Sequence, residues 1–156
     1  MLIRPLIAVF LLINCGSPPP TPGDPTLSLG GGEGLYTAFE DGDTLDLVRG
    51  CQGAQHVWVA LRATGLDPRG TIIDLSFRRA SDDVVVSQAF VVRVSMDPVD
   101  GMDGVTEVYG LQLVVPEPDA ALGQDLFLSA TVTDREGVEV FDERPIRIAW
   151  GSGGCL

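Results

Sequence analysis

The residues able to carry out chemistry in this chain are few and unevenly placed. There are three cysteines, Cys15, Cys51 and Cys155, and a single histidine, His56. All ten basic residues are arginine, against 22 acids, for a formal net charge of −12. Without lysine there is no lysine-based catalysis and no Walker-type phosphate loop, whose lysine reaches the β- and γ-phosphates. A serine triad would have to use His56, and no Gly-x-Ser-x-Gly elbow is present to hold the nucleophile. A zinc site draws on several His and Cys ligands, which the chain lacks. A hydrolase built on two carboxylates is conceivable with 22 acids, but no pair is singled out. The residues therefore point away from an enzyme and call for no cofactor. Nucleic acid is excluded as a partner because it needs a basic footprint.

Two local patterns could bind a metal. Asp97, Asp100, Asp103 and Glu107 gather carboxylates and glycines on one turn, a hard-oxygen set that suits calcium, although the spacing is not that of an EF-hand. The default for such a turn is a solvated acidic loop. Cys51 and His56 have the Cys-x4-His spacing found in copper loops of cupredoxin-like sandwiches. Those sites need a second histidine, and position 61 is a leucine, so copper is not expected. His56 is expected to pack beside Trp58 or at a strand edge, and Trp58 to pack on a sheet face.

The third cysteine has a different context. Arg4 precedes an apolar run, Leu6, Ile7, Ala8, Val9, Phe10, Leu11, Leu12 and Ile13, which ends on Asn14, Cys15, Gly16 and Ser17. The run is shorter than the roughly 20 residues a membrane-crossing helix needs. A short apolar segment behind a basic residue reads as a secretory signal. Leu12-Ile13-Asn14-Cys15 resembles the lipobox of bacterial lipoproteins, with Leu12 well placed and Asn14 where the family usually has a smaller residue. The resemblance implies cleavage before Cys15 and acylation of its thiol, so that the lipid bilayer becomes a partner. Several acyl chains on one residue anchor stably where one is marginal. Gly16 after the cysteine implies, by the same resemblance, the outer membrane.

Removal of residues 1–14 leaves nine arginines against 22 acids, or −13. A body so acidic is repelled by anionic head groups, so the lipid must hold it. The run Pro18, Pro19, Pro20, Thr21, Pro22, Gly23, Asp24 and Pro25 prefers extended polyproline and serves as a spacer. Gly30, Gly31, Gly32 and Gly34 read as a flexible joint. The expected organisation is a signal peptide over 1–14, a lipidated cysteine and linker over 15–34, and a folded domain over 35–156.

The elements that must position any site follow period two rather than 3.6. Leu45 and Leu47; Val57, Val59, Leu61 and Ala63; Ile73, Leu75 and Phe77; Val86, Phe90, Val92 and Val94; Leu111, Leu113 and Val115; Leu126, Leu128, Ala130 and Val132; and Ile146, Ile148 and Trp150 form successive rows separated by turn clusters. Seven or eight such rows predict an all-β fold, an antiparallel sandwich. The stretch 123–137, an alternating strand ending in Asp134 and closed by Gly137, resembles a late hairpin of immunoglobulin-like and fibronectin type III-like modules. Fold alone does not supply function.

With Cys15 given to lipid, Cys51 and Cys155 form an even pair in an oxidising compartment and are expected to make a disulfide. The functional expectation is a non-enzymatic interaction or structural module of the envelope, its partner an unidentified envelope protein or polysaccharide. The alternative is a ligand- or calcium-binding accessory lipoprotein of a secretion, uptake or cell-wall system.

Overall fold

The computed structural model describes residues 23–154, so Cys15, the leader and Cys155 lie outside the described residues. The period-two rows become strands because alternate apolar side chains have one face to bury and alternate polar ones have water on the other. The strands are β1 (Thr26–Gly31), β2 (Thr37–Ala38), β3 (Thr44–Arg49), β4 (Gln55–Thr64), β5 (Thr71–Arg79), β6 (Phe90–Val94), β7 (Asp97–Pro98), β8 (Val105–Val114), β9 (Leu126–Thr133) and β10 (Glu139–Gly154). The only helical turn among the described residues is a short 3-10 segment, Pro118–Ala120. No helix there is long and apolar enough to cross a membrane.

The fold is all-β, as the alternation predicts. The sheet is one curled, mixed sheet, in the order β2-β1-β4-β3-β10-β9-β5-β6, with β8 on β4 and β7 on β8. The expectation of a purely antiparallel sheet is corrected at one seam. β3 and β10 run parallel, Thr44 beside Arg147 through Leu47 beside Trp150. β10 reaches that seam because it is long. Its first half pairs antiparallel with β9 from Glu139 to Ile146, and past Pro145 it turns onto β3. Backbone hydrogen bonds lock the turn: Gly42 donates to the Pro145 carbonyl at 2.7 Å and Arg147 donates to the Asp43 carbonyl at 2.8 Å.

The curl encloses one core. Leu47, Val59, Leu61, Ile73, Phe77, Leu113, Val115, Leu128 and Val132 are fully buried in it. The rows on β3, β4, β5, β9 and the end of β8 face inward as expected. Three readings differ. The folded part begins at Thr26, inside the stretch expected to be linker: Leu27 and Leu29 of β1 are buried, and Gly30 and Gly31 belong to a strand. Val86 precedes β6 and is buried beside an isolated bridge between Arg78 and Val85. Trp150 extends the row of Ile146 and Ile148 and pairs with the buried Leu47, yet is 47% exposed.

Gly30 and Gly31 are needed for close approach. A Cβ on Gly30 would stand 2.5 Å from the Tyr36 ring, and one on Gly31 2.6 Å from the Phe39 ring. The chain after β1 therefore brings the Tyr36 and Phe39 rings close against the strand. Asp142 of β10 accepts the Leu29 N–H at 2.9 Å and joins β1 to the far side of the curl.

Candidate functional site

β4 carries the residues that the sequence marked out. Its inward row is Val57, Val59, Leu61 and Ala63, so His56, Trp58, Ala60 and Arg62 share the outward face. That face is covered in part. His56 is buried under the β3–β4 turn, its ring meeting the Trp58 ring edge-on with centroids 4.7 Å apart. This is the packing role expected for it. Its Nε2 is buried without a hydrogen-bond partner among the described residues.

Arg62 sits between two groups. Its guanidinium lies 4.3 Å from the centroid of the Tyr36 ring, and its Nε donates to Glu107 at 2.8 Å. The Tyr36 hydroxyl donates to the Leu29 carbonyl at 3.2 Å. Burial raises the Tyr36 pKa above its ordinary value, with Arg62 opposing. Glu107 is thereby committed to Arg62 and faces Asp97 in the β7–β8 ladder. Asp100 and Asp103 are exposed on the turn beyond. Among the described residues no group of three or more His, Cys, Asp or Glu side chains is placed to hold a metal ion, these four included.

The more open feature is a groove of about 360 Å³ between β3 and the β1–β2 hairpin. Its lining includes Glu33, Thr37, Thr44, Asp46, Phe39 and Trp58. It offers an aromatic surface, two carboxylates and two hydroxyls, a set suited to a ligand rich in hydrogen-bond donors. It contains no nucleophile joined to a base. Little in the local pattern marks it, since Glu33 and Asp46 come to line one groove only through the pairing of β1 and β3 with β4. The one available signal was the glycine run before Tyr36.

Several charged groups elsewhere are paired across the sheet and its turns. Arg78 donates to Glu143 at 2.9 Å and also pairs with Asp83; Glu143 in turn accepts from Ser129 at 2.6 Å. Arg79 pairs with Asp82 and Arg69 with Asp67, and these side-chain hydrogen bonds hold both aspartates below the ordinary carboxylate range. Asp134 is buried, which works against its charge. The N–H groups of Asp67, Glu136 and Val138 nevertheless donate to it at 3.1, 2.9 and 2.9 Å, and the net result is a lowered pKa.

At one end of the sheet Arg49 lies 5.2 Å from the centroid of the exposed Trp150 ring. Cys51 is in the adjacent β3–β4 turn, and Gly154 pairs with Arg49 two residues before it. At the opposite end β1 begins: Thr26 pairs with Thr64, and Gly65 packs closely against Pro25. No protein-family model matches this chain, and no curated protein does.

Proposed function

We propose that this chain is a bacterial lipoprotein, held at the outer membrane through acylated Cys15, whose immunoglobulin-like β-sandwich serves as a non-enzymatic interaction module. The observation that carries the reading is the placement of the two ends. The segment arriving from the proline run joins at Pro25 and Thr26, beside the β4–β5 turn. β4 then runs ten residues to the other end, about 30 Å at strand rise, where the β3–β4 turn, Arg49 and Trp150 lie. A tether at one end leaves the exposed aromatic at the other facing away from the bilayer. Exposed aromatics with a polar surround are the usual anchors of partner contacts.

A disulfide between Cys51 and Cys155 belongs to the same reading. The parallel pairing of Gly154 with Arg49 brings the end of β10 alongside the turn that carries Cys51. Such a bond would fasten the last strand where its ladder with β3 slips register.

The test is a photo-crosslinking amino acid placed at Trp150 and, separately, at Asp46 in the groove, in cells with a native envelope. A discrete adduct from either position, to protein or to saccharide, is the expected result. Unreacted monomer from both positions would refute the interaction module.

A further inference from the structure

The nine described arginines are not equivalent. Six form ion pairs with carboxylates: Arg62, Arg69, Arg78, Arg79, Arg144 and Arg147. Arg49 lies over Trp150. Arg93 and Arg135 do neither, and they meet at one place. A Cβ on Gly70 would be 3.8 Å from Arg135 Cδ and 4.0 Å from Arg93 Nη1. Arg93 Nη1 donates to the Gly70 carbonyl at 2.9 Å, which fixes the guanidinium beside the turn. Gly70 has φ +65°, so a side chain there would be strained by its backbone, with both arginines at ordinary contact distance.

On a chain with more than twice as many acids as bases, two exposed cations without ion-pair partners form a local exception. The carboxylates built into the same turns are occupied. Asp67 is held by Arg69, with Arg135 acting on it more weakly through space, and Asp134 accepts three backbone N–H groups. Glu136, next to Arg135, is exposed and remains a competing charge. The location is the second observation. Asp67 N–H donates to Asp134, tying the β4–β5 turn to the β9–β10 turn, and the β4–β5 turn also touches Pro25. The pair therefore lies at the end of the sheet that the tether enters.

We propose that Arg93 and Arg135, converging on Gly70, contact the phosphate of an anionic lipid head group and so fix how the domain stands on the membrane. Guanidinium groups suit phosphate oxygens in geometry and charge. The proposal rests on the lipid-anchor reading: the acyl chains hold the protein, and the arginine pair orients it.

The test uses the full mature chain, lipid-anchored in nanodiscs of phosphatidylcholine alone or of phosphatidylcholine with one third phosphatidylglycerol. Hydrogen exchange is read at residues 66–70 and 134–137. The expected result is slower exchange on the anionic discs only, by about fivefold for each arginine. Raised salt should weaken the effect. Arg93→Gln with Arg135→Gln should abolish it while the protein stays on the disc with an unchanged melting temperature. Glu136→Gln should strengthen it. An anchored protein with the same exchange on both discs would overturn the orienting contact and leave the anchor standing. A chain that does not anchor would overturn both. If inorganic phosphate on phosphatidylcholine discs gives the same protection, the site takes a free anion and the head-group assignment is wrong.

Discussion

Reducing or removing the proposed bond between Cys51 and Cys155 is the perturbation with the largest calculable effect. The bond would close a loop of about 100 residues, worth up to ~4.7 kcal/mol through lost entropy of the unfolded chain. At roughly 4 °C per kcal/mol for a domain of this size, the ceiling on the fall in melting temperature is about 20 °C. The structure argues for a value below that ceiling. β10 stays attached to β9 along its first half and to β3 at four consecutive positions, so reduction can free the end of β10 before the core opens. The assay is calorimetry with and without a phosphine reductant, repeated on Cys51→Ser and Cys155→Ser. Native protein should lose stability on reduction, both variants should melt where the reduced protein does, and reductant should not affect either variant. Exchange should quicken first at residues 147–152. A native melting temperature that moves by less than about 1 °C on reduction would refute the reasoning. So would a non-reduced digest without a linked peptide containing both cysteines.

Other predictions address the fold and the candidate sites. Phe77 is fully buried, and Phe77→Ala should cost about 3–5 kcal/mol in denaturant unfolding. Gly31→Ala would set a methyl against the Phe39 ring and should cost about 1–3 kcal/mol, with the change confined to β1 and β2 in amide spectra. Asp134 has a folded-state pKa below its ordinary 3.8, so the stability it contributes is present above that value and is lost as pH falls through the depressed one. Acid unfolding should therefore steepen below about pH 4, and Asp134→Asn should flatten that limb while lowering the melting temperature at neutral pH. Calcium should leave the melting temperature and the calorimetric baseline unchanged, since Glu107 is held by Arg62 and the turn carboxylates do not converge.

Much of the fold was legible where burial enforces strict alternation. The inward rows of β4, β5 and β9 are read directly from Val57, Val59 and Leu61, from Ile73, Leu75 and Phe77, and from Leu126, Leu128 and Ala130. β1 was hidden because Leu27 and Leu29 are only two apolar residues between a proline tract and a glycine run. Composition there argues for a linker, and only pairing with β4 makes it a strand. The first half of β10 was obscured by Asp142, Glu143 and Arg144: Asp142 finds a partner on β1, Glu143 on β9 and β5, and Arg144 pairs with Asp142 and with Asp41 in the turn before β3. The parallel seam between β3 and β10 depends on two segments about 100 residues apart, and no local pattern encodes it. The same distance explains the candidate sites. His56 beside Trp58 is an i, i+2 relation and could be anticipated. The Tyr36–Arg62–Glu107 contact and the groove with Glu33 and Asp46 required the topology.

Attachment to a membrane depends most on Cys15, because six of the nine described arginines are taken up in ion pairs on a strongly acidic body and the anchor must supply the rest. The most direct measurement is mass spectrometry of the N-terminal peptide from protein purified out of native membranes, with fractionation of Cys15→Ala in parallel. The predicted result is a chain that begins at Cys15 with acyl chains on that residue, and a variant that leaves the membrane fraction. An unmodified Cys15 behind an intact leader, or a variant that stays in the membrane unchanged, would contradict it.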